Sequence, residues 1–190
     1  MDTVLAGGAA FLLGPLIDWA VYNKKNGLTL VLWIAFGLLL GYGLVTAVRH
    51  PVKVELAPYW SLAGWLLTVA GAALSLYSVF WEVSPARHPQ ASATASAGPR
   101  LVMDGTYALT RHPGVLWFGV LVLGLFLVSR SRIMLVAGPV WTALDALWVL
   151  LQERFFFHRM FPEYAHYCQT TPMLLPTPAS VRRFLRGAQG

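Results

Sequence analysis

Residues 26–51 read NGLTLVLWIAFGLLLGYGLVTAVRHP. From Gly27 to Val48 this stretch carries no charged residue, and it stops at Arg49-His50-Pro51. A helix crossing the hydrocarbon core of a bilayer needs about 20 apolar residues, which this run supplies. Four further stretches have the same character: Val4–Tyr22, Tyr59–Trp81, Gly114–Val128 and Ile133–Leu151, with the Gly114 stretch the shortest. Lipid cannot hydrogen-bond to an exposed backbone, so open-ended segments of this kind fold as helices. The expected fold is therefore all-α: a polytopic membrane protein with about five transmembrane helices and a short C-terminal interfacial helical region.

Composition agrees with this. Of 190 residues, 57% are hydrophobic and 12% charged, about half the charged share of an ordinary soluble domain, and the mean hydropathy is +0.59. The net charge of +6 arises from the ends and loops rather than from one basic face. That pattern suits anionic lipid headgroups and argues against a nucleic-acid partner. Cys168 is the single cysteine, which excludes an intramolecular disulfide and a cysteine metal cluster. Met1-Asp2-Thr3 lacks the basic start of a signal peptide, so Val4–Tyr22 reads as a retained span. Placing the N-terminus outside leaves ten of the 14 Lys and Arg inside, all but Arg49, Lys53, Arg130 and Arg132. By the positive-inside rule the C-terminus is then in the cytosol, in a cytoplasmic (inner) membrane. Gly7, Gly8, Gly37, Gly41, Gly64 and Gly71 offer small surfaces for close helix packing.

Arg-His-Pro occurs three times, in unequal settings. Arg87-His88-Pro89 sits in SPARHPQASATASAGPR (84–100), whose Ala, Ser and Pro content is that of a connector. Arg49-His50-Pro51 ends a span, where proline stops a helix and arginine reaches the interface. The third copy, Arg111-His112-Pro113, starts the fourth span and follows Gly105 and Tyr107. Proline suits the first position of a helix, which leaves His112 at the mouth of that span. An antiparallel fifth span returns Gln152-Glu153-Arg154 to the same level, so His112 and Glu153 should meet on one membrane face. Ionisable groups gathered at span ends mark a site. Tyr164 and Tyr167, three residues apart, should share one side of a short helix. Asp18 and Asp145, inside the first and fifth spans, read as polar packing residues.

The series Leu101-Val102-x-x-Gly105-x-Tyr107-x-x-x-Arg111-His112-Pro113, an acidic site, Tyr164-x-x-Tyr167 and Pro172-x-x-x-Pro176 resembles the integral-membrane methyltransferases. These form the isoprenylcysteine carboxyl methyltransferase and phospholipid methyltransferase superfamily. The likeness covers residues 100–176. It implies a helical membrane fold that binds S-adenosylmethionine on the cytosolic side, beside a lipid-accessible tunnel for an amphipathic acceptor. It further implies that Leu101, Val102, Tyr107 and Tyr164 line the cofactor, that Gly105 shapes the backbone, and that His112 and Pro113 contact its amino-acid or ribose portion. The family's acidic pair falls on Gln152 and Glu153, also cofactor-binding. Arg111 and Glu153 become the catalytic candidates, one positioning or polarising, the other available for proton removal. Residues 1–99 then form an N-terminal unit of three spans and a linker, and 100–190 the methyltransferase-like region. Val115, Trp148, Gln152 and Met173 depart from the family's pattern and point away from a carboxylate acceptor. A non-catalytic membrane subunit or lipid-binding module is the rival expectation. A transporter is disfavoured because no inverted repeat is evident.

Overall fold

The computed structural model describes residues 2–84 and 100–187, so Arg87-His88-Pro89 lies outside the described residues. Helices α1 (Asp2–Leu12) and α2 (Gly14–Tyr22) make up the first span. They are separated at Leu13 because Pro15 has no N–H to continue the ladder and its ring crowds the preceding turn. Leu13 N instead bonds Ala10 O at 3.0 Å, and Ile17 N resumes regular pairing with Leu13 O at 2.9 Å. Next come α3 (Asn26–Val48) and α4 (Tyr59–Leu76), the latter prolonged by a π-helical turn at Tyr77–Trp81. Helix α5 (Pro113–Ser129) is followed by α6 (Met134–Gln152), which runs on through a second π-helical turn, Glu153–Phe157, to Met160. Two short helices, α7 (Tyr164–Thr170) and α8 (Pro178–Gly187), complete the chain.

All five expected spans are helical, but they are not equal. Thr3–Tyr22, Asn26–Val48, Tyr59–Trp81 and Met134–Met160 are long and apolar enough to cross a bilayer. Helix α5, with 17 residues, extends about 25 Å, short of a hydrocarbon core about 30 Å thick. Pro113 fixes its start, and Arg130, in the left-handed region at φ 53°, fixes its end.

Small residues set the closest approaches. Gly64 and Gly71 on α4 lie against Leu127, Val128 and Leu121 of α5, while Gly124 of α5 meets Thr68 of α4. A Cβ at any of these glycines would strike the neighbouring backbone, the usual reason for small residues between membrane helices. Gly7 of α1 meets Gly43 of α3 under the Trp141 indole of α6, whose Nε1 donates to Val4 O at 2.9 Å. Gly37 and Gly41 do not join this packing: nothing stands within 4 Å of where their Cβ atoms would be. Helices of both sequence regions thus interleave in one bundle, with α4 on α5 and α1 on α3 and α6.

The two ends of the bundle differ. At one, Val54 N bonds Arg130 O (2.7 Å), Arg132 N bonds Val52 O (3.0 Å) and the Ser131 hydroxyl donates to Ala47 O (2.5 Å). Arg49-His50-Pro51 lies here as a helix stop, its His50 Nδ1 accepting from Val52 N at 3.3 Å. The other end gathers both π-helical turns, the segment 101–112 and the C-terminal helices. Although consecutive, α3 and α4 share no extensive packing, and a gap remains between them.

Candidate active site

The segment preceding α5 is tied down before it reaches Arg111. Gly105 has φ 58°, a conformation that glycine adopts without penalty, and it opens a single 3-10 turn, Gly105–Ala108. Glu82, fully buried at the end of the α4 run, accepts from Thr106 N at 2.9 Å and from the Thr106 hydroxyl. The Tyr107 hydroxyl donates to Ser78 O at 3.3 Å, and Tyr107 O accepts from the Tyr167 hydroxyl at 2.6 Å. Arg111 N and His112 N then bond Pro172 O (2.9 Å) and Met173 O (3.2 Å). Both sides of Arg111-His112 are therefore held, by α4 and by the C-terminal loop.

Glu153 is the hub. Its Oε1 accepts from Arg111 Nε (2.8 Å) and the Tyr164 hydroxyl (2.7 Å) and lies 2.8 Å from His112 Nε2; its Oε2 accepts from Arg111 Nη2 (3.0 Å). Arg111 Nη1 reaches on to Thr171 O (2.7 Å) and Cys168 O (3.3 Å). The His112 ring, nearly parallel to Phe157 at 5.9 Å, is buried. Burial, then the hydrogen bond to Glu153, pushes the Tyr164 phenol above its ordinary value. Burial does the same for Tyr107, with Glu82 adding to it, and for Tyr167. All three phenols are thus neutral donors at physiological pH. Burial is the largest single influence on Arg111 and opposes its charge, but the hydrogen bond to Glu153 and the carboxylate's charge, with smaller contributions from Cys168 and Tyr164, together hold the guanidinium above its usual value.

A cavity of about 530 Å³ opens from this cluster into the bundle. Tyr107, Arg111, His112, Pro113 and Gln152 line its polar end. Its walls are aromatic, from Trp33, Phe36, Phe118 and Trp148, and Val115 contributes a small apolar face. Phe36, Gly37, Leu40 and Leu44 of α3 stand across from Ser75, Val79 and Phe80 of the α4 run, so the cavity occupies the gap between those helices. Gly37 and Phe80, which also line it, are exposed on the outside of the bundle. Gln152 is oriented by Asp18: its Nε2 donates to Asp18 Oδ1 at 2.7 Å, while the Trp148 indole donates to Asp18 Oδ2 at 2.7 Å. The amide oxygen of Gln152 is thereby the group directed away from Asp18.

The structure joins His112, Glu153, Arg111 and Tyr164 in one network and brings Tyr107, His112, Pro113 and Gln152 to the cavity wall. Leu101, Val102, Gly105, Glu153 and Tyr164 stand behind that wall. Leu101 packs on the Phe161–Tyr164–Tyr167 cluster, Val102 is buried, and Glu153 and Tyr164 face Arg111 and His112. With three donors around one oxygen, Glu153 acts as a clamp rather than as a free base. Three further residues belong to the site: Glu82, Ser75 and Asp145. Glu82 carried a readable signal, an acid directly after an apolar span, as Glu153 does. Asp145, a packing residue by its sequence position, lines the cavity instead.

Comparisons with protein-family models, with curated proteins and with solved structures return no match for this chain. Its function has to be argued from the site.

Proposed function

We propose that this chain is an integral-membrane methyltransferase that uses S-adenosylmethionine and acts on a lipophilic or amphipathic acceptor reaching the cavity from the bilayer. The observation that carries the reading is the continuity of the cavity, from Tyr107, His112 and Gln152 to the lipid-facing gap between α3 and α4. Its volume lies within the usual range of small-molecule sites, about 300–1,000 Å³.

The residues present fit the cofactor. S-adenosylmethionine offers an ammonium, a carboxylate, ribose hydroxyls and an adenine, which call for an acceptor, donors and flat apolar faces. The Gln152 amide oxygen, the His112 imidazole, the Tyr107 ring and the faces of Trp148 and Phe157 supply those types at the polar end. When bound, the cofactor supplies a methyl carbon on a sulfonium, already a good leaving group, so no protein nucleophile is required. The chain's own contribution is alignment and exclusion of water. Glu153 keeps Arg111 and His112 in place, Asp18 turns Gln152, and the aromatic walls keep the interior dry. The positive-inside distribution supports a cytosolic position for the polar mouth and the C-terminus.

One observation favours the rival, a lipid-binding module without catalysis: Arg111 is spent on Glu153 and on backbone carbonyls, and Glu153 on Arg111, His112 and Tyr164. Reconstituted protein incubated with methyl-labelled S-adenosylmethionine and a total lipid extract separates the two. Label is expected in the organic phase; folded protein that binds lipid yet transfers no label would leave the module.

A further inference from the structure

We propose that Asp145 recognises a positively charged nitrogen on the amphipathic ligand entering between α3 and α4. On the methyltransferase reading this ligand is the methyl acceptor, an amine bound as its ammonium that passes one proton to the Asp145 carboxylate before its nitrogen lone pair is free to be methylated. Asp145 lies in α6 seven residues before Gln152, two turns and about 10.5 Å deeper along the same face. It lines the same cavity as Trp33, Phe36 and Trp148.

The other acids around the site are all engaged. Asp18 is held by Trp148 and Gln152, Glu82 by Thr106, and Glu153 by Arg111, His112 and Tyr164. Among the described residues Asp145 has no hydrogen bond or ion pair. The buried Ser75 hydroxyl, on the same cavity wall, also lacks a partner. A carboxylate set in apolar surroundings is costly unless something pairs with it, and none of the described residues does so. Arg111, the cation on the cavity wall, is already bound to Glu153 and to backbone carbonyls.

The neighbouring walls sharpen the choice of ligand. Trp33, Phe36 and Trp148 form an aromatic cluster with ring centroids 5.5–6.0 Å apart. Aromatic faces attract cations, and a carboxylate beside them adds a charge-assisted hydrogen bond to an ammonium. A carboxylate ligand would meet repulsion from Asp145, and an alcohol would leave its charge uncompensated. An apolar tail attached to the nitrogen would leave through the gap past Gly37 and Phe80. Ser75 is a second polar group for the same head.

The test uses the protein in phosphatidylcholine nanodiscs without S-adenosylmethionine, reading its tryptophan fluorescence, with Trp148→Phe as the control that shows how much of the change arises at the cavity wall. Dodecylamine, dodecanol and dodecanoate are titrated in parallel. Dodecylamine should bind tightest, and Asp145→Asn should weaken it about tenfold or more while leaving dodecanol unchanged. Equal or tighter binding of dodecanol or dodecanoate to the unmodified protein overturns the proposal. So does an Asn variant that keeps its affinity for the amine, or one that instead loses only S-adenosylmethionine, measured separately. The comparison of ligands on the unmodified protein decides even if the variant does not fold. Protein that binds the amine but not S-adenosylmethionine keeps this site and loses the methyltransferase reading; the converse result loses Asp145 alone.

Discussion

Glu153 and Asp145 are carboxylates on one helical run, about two turns apart, and both belong to the surroundings of one cavity. At the polar end, Glu153 is surrounded by a guanidinium, an imidazole and a phenol. Deeper in the bundle, Asp145 lines the same cavity as the aromatic walls and, among the described residues, has no donor bonded to it. A group satisfied by its own protein holds structure together, whereas a costly group left unsatisfied makes sense when a ligand completes it. The polar end is thus scaffold for the site, and the interior wall is where recognition is decided.

The difference can be broken by mutation. Glu153→Ala leaves Arg111, His112 and Tyr164 facing an absent acceptor and should cost about 3–5 kcal/mol, read as a lowered thermal midpoint in nanodiscs together with loss of S-adenosylmethionine binding. A variant with an unchanged midpoint would remove Glu153 from its role as hub. Gly71→Leu should cost about 1–3 kcal/mol by overpacking α4 on α5, while Gly41→Leu, on an open face, should leave the midpoint within error. Equal losses at the two glycines would mean that the bundle is packed differently. Tyr164→Phe removes one of the donors to Glu153 and should cost about 1 kcal/mol. It also bears on pH. The folded values of Tyr107, Tyr164 and Tyr167 lie above those of an unfolded chain. Their stabilising effect is therefore complete below about pH 10 and is lost as pH rises further. The variant should show a shallower alkaline fall than the unmodified protein in pH-dependent unfolding. Asp145→Asn is expected to have the smallest effect on the midpoint, no change or a slight rise. A large fall would mean that Asp145 has a structural partner, and the contrast with Glu153 would fail.

Much of this was legible in the sequence, for definite reasons. The uncharged run from Gly27 to Val48 announces a membrane helix by length alone. Two antiparallel spans must bring His112 and Glu153 to one level, and those residues lie 2.8 Å apart. What escaped depends on rotation about helix axes. The π-helical turns at Tyr77–Trp81 and Glu153–Phe157 each add a residue to a turn, so a regular period misplaces the side chains beyond them. Glu82 therefore reaches Thr106, a contact that no spacing announces. The weak packing of α3 on α4 is likewise invisible in two equally apolar segments, and with it the cavity that exposes Asp145. Gly37 and Gly41 have the spacing of a packing face, yet among the described residues no helix packs against it.

Calorimetric titration of S-adenosylmethionine into the folded protein in nanodiscs tests the central claim most directly. Saturable binding is expected, abolished by His112→Ala and unaffected by His50→Ala, which lies at the opposite end of the bundle. Absence of binding to demonstrably folded protein, or binding lost in His50→Ala but kept in His112→Ala, would contradict it.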